Sequence, residues 1–132
     1  MDQSAGKDYR LRRRKDIARM FERGRRASDS LLVLHVLRGP QEVGHARLGV
    51  AVSGRHGNAV KRNRVKRLCR EAFRLIRSEL PDMWDYMIVP RVGRPLTIDR
   101  IQESLRALVG QLKNKTIPSA QDDDGHPTSE SS

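Results

Sequence analysis

The sequence predicts an α+β fold: a single small sandwich in the order α-β-β-α-β-α, with helices packed on one sheet. Three observations carry that reading. The segments 59–79 and 98–112 repeat apolar residues at helical spacing. The runs 31–37, 47–53 and 86–89 are rich in Val, Ile and Leu and are bounded by Gly, Pro or polar turn residues. The chain of 132 residues is the size of one domain.

Each element has its own warrant. Residues 1–9 are polar and are expected to form a flexible lead-in. Arg14 to Arg23 reads as a short helix, with Ile17, Met20 and Phe21 on one face and Gly24 as its stop. Leu31 to Leu37 is long enough for one strand, and Gly39-Pro40 breaks it. The polar stretch to His45 suggests a hairpin-like return into a second strand, Arg47 to Ser53. There Leu48, Val50 and Val52 face one side and Gly49, Ala51 and Ser53 the other, leaving room over the small face. Gly54 and Gly57 make a turn, and Asn58 is the N-cap of a long helix from Ala59 to Glu79, with Pro81 just beyond. Tyr86 to Val89 is the third strand. Thr97 caps a last helix whose stripe is Ile98, Ile101, Leu105, Leu108, Val109 and Leu112. After Lys113 no period survives, so residues 10–113 are expected to be the folded domain and 114–132 a disordered acidic tail.

The charge points to a polyanion. The chain carries a formal +11, and residues 114–132 contribute −3, which leaves +14 on residues 1–113. One cysteine, Cys69, allows no intrachain disulfide, in keeping with a reducing, cytoplasmic setting. No run of about eighteen apolar residues and no signal-like segment is present, and no membrane association is expected.

The long helix concentrates the signal. Val65, Leu68, Cys69, Ala72, Leu75 and Ile76 form its apolar arc, with Phe73 at the border. Arg62, Lys66, Arg70, Arg74 and Arg77 cluster opposite, with Asn63 and Arg67 beside them. Between Arg55 and Arg77 nine bases face a single acid, Glu71. Like charges at i, i+4 (Arg62/Lys66, Lys66/Arg70, Arg70/Arg74) repel by a few tenths of a kcal/mol each, and a nucleic acid would offset that cost. Aromatic residues are few (Tyr9, Phe21, Phe73, Trp84, Tyr86), which argues against a base-stacking sheet. No zinc-finger, basic-zipper or helix-turn-helix pattern appears, so structured RNA, rather than DNA, is the expected partner.

The run Gly57-Asn58-Ala59-Val60-Lys61-Arg62-Asn63-Arg64-Val65-Lys66-Arg67-Leu68-Cys69-Arg70-Glu71-Ala72-Phe73-Arg74 resembles the signature of the bacterial ribonuclease P protein. Arg10-Leu11-Arg12, Asp16 to Gly24 and Arg47 to Ser53 resemble that family's first helix and second strand, so the resemblance spans roughly residues 9–112. It implies a protein subunit of a ribonucleoprotein endoribonuclease, in which the RNA subunit performs Mg²⁺-dependent removal of the 5′ leader from precursor tRNA. It implies contact with the catalytic RNA through Arg62, Asn63, Arg64, Lys66, Arg67, Arg70 and Arg74. It implies a leader-binding cleft that maps onto Ile17, Phe21, His35, Ser53 and Arg55. At Ile17 and His35 the chain replaces the family's aromatics, and Gly54-Arg55-His56 replaces its usual lysine pair. It implies a ribosomal-protein-like fold with a left-handed βαβ crossover, where the general rule is right-handed.

No catalytic or metal-binding constellation is evident. Asp16, Glu22, Glu42, Glu71 and Glu79 are scattered, and His35, His45 and His56 lack ligand spacing, so neither a self-contained nuclease nor a protein-bound cofactor is expected. A ribosomal or translation-associated RNA-binding protein is the alternative.

Overall fold

The computed structural model describes residues 9–119. The elements are α1 (Arg14–Arg23), β1 (Arg25–Ser28), β2 (Leu32–Arg38), β3 (Arg47–Val50), α2 (Ala59–Ile76), β4 (Trp84–Pro90) and α3 (Ile98–Leu112). The four strands form one sheet in the order β1-β2-β4-β3. β2 pairs antiparallel with both β1 and β4, and β3 runs parallel to β4.

This topology corrects the hairpin expected between β2 and β3. β4 occupies the position beside β2, and its residues Asp85 to Ile88 are all buried. A strand buried on both faces belongs in the interior of a sheet, whereas β3 has only four residues and lies outside it. β1 is the strand that the sequence did not reveal. Arg25-Arg26-Ala27-Ser28 has no apolar alternation, and it is a strand because it pairs with the strongly apolar β2. The turn between them is fixed by Asp29, whose Oδ1 accepts from the N–H groups of Leu31 and Leu32, each at 2.9 Å.

The sheet is covered fully on one face and in part on the other. Leu32, Leu34, Val36, Leu48, Tyr86 and Ile88 meet α2 and α3 in the main core, where Cys69, Phe73, Ile101, Leu105 and Leu108 are buried. On the opposite face Met20 of α1 packs with Leu11, Leu37 and Met87. α2 departs from its helical-wheel reading at two positions. Leu75, placed in the apolar arc, is exposed, and Phe73, placed at the border, is buried edge-to-face against Tyr86 with ring centroids 5.0 Å apart. α2 is rolled so that its apolar arc centres nearer Cys69 and Ile76, toward the aromatic pair at the heart of the core.

Both ends of the described chain are tied to the sheet. Residues 9–11 lie parallel along β3: Leu48 donates to the Tyr9 carbonyl at 2.8 Å and Leu11 to the Leu48 carbonyl at 2.9 Å. The space expected over the small face of β3 is thereby occupied at Gly49, where a Cβ would stand 2.6 Å from Met87 Cε and 3.1 Å from the Leu11 carbonyl. At the other end Ile117 is buried in the main core, Arg38 N–H donates to the Pro118 carbonyl at 2.8 Å, and Ser119 bridges to Arg38. Residues 117–119, assigned by composition to the tail, are thus packed on the domain. Residues 1–8, and the remainder of the acidic segment at 120–132, lie outside the described residues.

One ion pair joins β3 to β4. Arg47 and Asp85 are register partners, and the guanidinium grips the carboxylate in a bidentate fork, Nε–Oδ1 2.9 Å and Nη2–Oδ2 2.7 Å. Asp85 is 2% exposed, and Asp16 of α1 lies 3.8 Å from the same guanidinium. Breaking a buried pair from one side leaves a charge uncompensated. Asp85→Ala is expected to destabilise the protein by about 3 kcal/mol, read by urea denaturation, because Asp16 compensates Arg47 only in part. Burial pushes the Cys69 thiol up to about 12, the nearby Arg70 charge opposing the shift. Iodoacetamide at pH 8 is therefore expected to label Cys69 only as fast as the protein opens. Labelling at the rate of a free thiol peptide would contradict its placement.

Candidate nucleic-acid interface

Asn58 sets the start of α2, its Oδ1 accepting from Lys61 N–H at 3.0 Å. From there the basic residues separate into two rows. Arg64, Arg67 and Arg74, with Asn63 among them, are exposed, while Arg62, Lys66, Arg70 and Arg77 are partly buried beside the core. The inner row is held in place. Arg62 Nη1 donates to the Gly57 carbonyl at 3.0 Å, and the Arg77 guanidinium lies 3.9 Å over the Tyr9 ring. In the outer row Arg74 pairs with Glu71 at 2.6 Å, so the one acid of the helix neutralises the C-terminal end of the face. Both groups are exposed, and such a pair adds little to stability. Arg64 and Arg67 are exposed, and guanidinium forks placed in this way are suited to a phosphate backbone. Arg70 Nε is buried without a hydrogen-bond partner.

The second surface lies on the α1 side of the sheet. α1 covers only part of that face, and Phe21, which is 45% exposed, meets His35 of β2 edge-to-face at 4.9 Å. Burial, and then the neighbouring Arg26 charge, hold the His35 imidazole below its ordinary pKa, favouring the neutral ring. Two residues along the same strand face, Val33 and Val89 floor a groove of about 640 Å³ rimmed by Ser53, Arg55, Arg91 and Arg94. The Ser53 side chain accepts from Arg55 N–H at 3.1 Å and starts a single 3-10 turn at Gly54–His56. His56 shares a hydrogen bond with the Pro90 carbonyl at 3.0 Å, fastening that turn to the end of β4.

The structure therefore gathers Phe21, His35, Ser53 and Arg55 along one face of the sheet. Ile17 is placed differently: it is partly buried, packed against the small cluster of Leu11, Met20, Leu37 and Met87. The sequence alone does not single out Arg91 and Arg94. Two arginines in the turn after β4 are visible there, but only the register of β4 shows which face they border. The Arg62 guanidinium reaches within 4.0 Å of where a Gly54 Cβ would stand, so the inner row of α2 begins at the rim of the groove.

Among the described residues no three His, Cys, Asp or Glu side chains come together as a metal site, and no helix is long and apolar enough to cross a membrane. The arrangement offers fixed cations, one stacking pair and hydrogen-bond donors, which suit binding and positioning of a nucleic acid.

Known proteins place this geometry in a family. Residues 6–113 match the family model described as Ribonuclease P. The ribonuclease P protein component of Herpetosiphon aurantiacus is 36% identical over 123 residues, covering 90% of this chain and 98% of the relative. That of an Exiguobacterium species is 36% identical over 108 residues, covering 81% and 92%. Among solved structures, the Staphylococcus aureus RNase P protein superposes with a TM-score of 0.69 at 31% identity, covering 81% of this chain and 97% of that one. The Thermotoga maritima RNase P protein gives 0.68 at 27% identity, covering 77% and 96%. A cationic helix, a sheet groove and no metal-ligand cluster among the described residues thus occur on the fold of a known RNA-processing subunit, and the chain belongs to the ribonuclease P protein family.

Proposed function

We propose that this protein component binds the catalytic RNA of ribonuclease P through the basic face of α2, and holds the 5′ leader of precursor tRNA in the groove beside α1. The observation that carries the reading is the α2 surface itself: Asn63, Arg64, Lys66, Arg67 and Arg70 lie on one side of a helix whose other side is built into the core. In this reading divalent ions, Mg²⁺ in the cell, are held by the RNA, and the protein supplies charge neutralisation and orientation. The leader would cross the Phe21–His35 pair, with Ser53 and Arg55 meeting its backbone. The setting is the cytoplasm, where precursor tRNA is made.

The protein alone is expected to leave precursor tRNA intact. Added to its RNA at low magnesium, it is expected to yield cleavage that neither the RNA alone nor a basic control peptide with the RNA gives. Equal stimulation by the control peptide would refute the assignment. Replacing Arg64 and Arg67 together by alanine is expected to lower the salt slope of RNA binding by nearly one for each phosphate no longer neutralised. For the leader, Phe21→Ala is expected to weaken binding of precursor by roughly five- to a hundredfold, the range for one stacked base, while binding of mature tRNA is unchanged. An equal loss for both RNAs would show that Phe21 acts only on the fold.

A further inference from the structure

The N-terminal segment and α2 bring two arginines together. Residues 9–11 are fastened to β3 by the two hydrogen bonds through Leu48, and Tyr9 lies beneath the Arg77 guanidinium. Arg70 stands two turns before Arg77 on the same side of α2, which places it beside the segment at Arg10. The proximity is felt electrostatically: burial first, and then the Arg10 charge, lower the hold of Arg70 on its proton. Arg70 gains no compensating ion pair from Glu71, which is turned to Arg74. Its Nε–H is buried and makes no hydrogen bond.

A buried donor left unsatisfied is costly, more so for a charged group, and a second cation nearby adds to that cost. Such groups are rare in native proteins, and a ligand that satisfies the donor is one reason for retaining it. The complementary group is an oxyanion, since the guanidinium fork accommodates two oxygens of one phosphate. We propose that Arg10 and Arg70 clamp one phosphodiester of the catalytic RNA, which makes the Tyr9–Leu11 segment part of the RNA interface. The inference rests on the assignment of α2 as the RNA-binding face. It adds a contact from outside the Gly57–Arg74 motif, on a segment at the very start of the folded domain. The segment is positioned for this by the sheet edge and by Tyr9, so a strand pairing orients a phosphate ligand.

The test is RNA binding by the full chain carrying Arg10→Gln, Arg70→Gln, or both, across a series of salt concentrations. Each single variant is expected to lose roughly ten- to a hundredfold in affinity for the ribonuclease P RNA, the range for a charge-assisted hydrogen bond. The double variant is expected to lose little more than the weaker-binding single, and the salt slope to fall by about one for the pair. Arg70→Lys keeps the charge but not the buried Nε donor. Its affinity loss is expected to be reduced by Arg10→Gln, as for Arg70→Gln. Circular dichroism confirms that each variant is folded. The clamp is overturned if Arg10→Gln binds with wild-type affinity and slope, or if the losses multiply as for independent sites. If the unsubstituted protein binds its RNA no better than a basic control peptide, the functional reading itself fails. That outcome is distinguishable from failure of the clamp alone.

Discussion

The architecture depends on β4 being an interior strand with a parallel neighbour. Its residues Tyr86 to Ile88 alternate between two apolar layers, so both faces require cover. Parallel strands cannot be joined by a tight turn. The chain between β3 and β4 must cross over, and α2 is that crossover. Its apolar side is pressed into the main core, which leaves its other side outward whatever residues stand there. In this chain those residues are mainly arginine and lysine, with Asn63, Glu71 and Leu75 among them. A cationic surface is thus generated by a topological requirement, and its stiffness comes from the core beneath it.

The same strand defines the second surface. With α2 and α3 on one side of the sheet, the other side is shared between α1 and open groove. Met20 reaches the sheet at Leu37 and Met87, and Phe21 beside it remains half exposed over His35. α1 is too short to cover Val33 and Val89, so the groove is the uncovered remainder of an apolar sheet face, rimmed by arginines. The groove combines an apolar floor with a cationic rim, and the Phe21 ring lies on the same sheet face. The Gly54–His56 turn connects the two surfaces. Ser53 and Arg55 belong to the groove, Arg62 to α2, and the His56–Pro90 hydrogen bond holds the turn between them.

Much of this was legible in the amino acids. The limits of α1, the caps of α2 and α3 and the stripe of α3 follow from local signals that are satisfied within a few residues: Asn58 reaches Lys61, and Thr97 reaches Arg100. The basic row on α2 follows from periodicity, and the family from the run Gly57 to Arg74. These features are legible because their physical causes are short-range, namely helical periodicity, capping hydrogen bonds and like-charge spacing.

What the sequence by itself determined, then, is that a cationic helix exists, where it begins and what kind of ligand it suits. Tertiary structure decided the rest. β1 is a strand only because β2 offers it a partner, and β3 pairs with β4 because the interior position went to the strand that is apolar on both faces. Leu75 faces solvent because Phe73 found Tyr86. Arg91 and Arg94 rim the groove through the register of β4. Arg10 meets Arg70 because residues 9–11 complete the β3 edge. In each case the deciding contact joins residues far apart in the chain, and no local pattern encodes which distant partner a segment will meet.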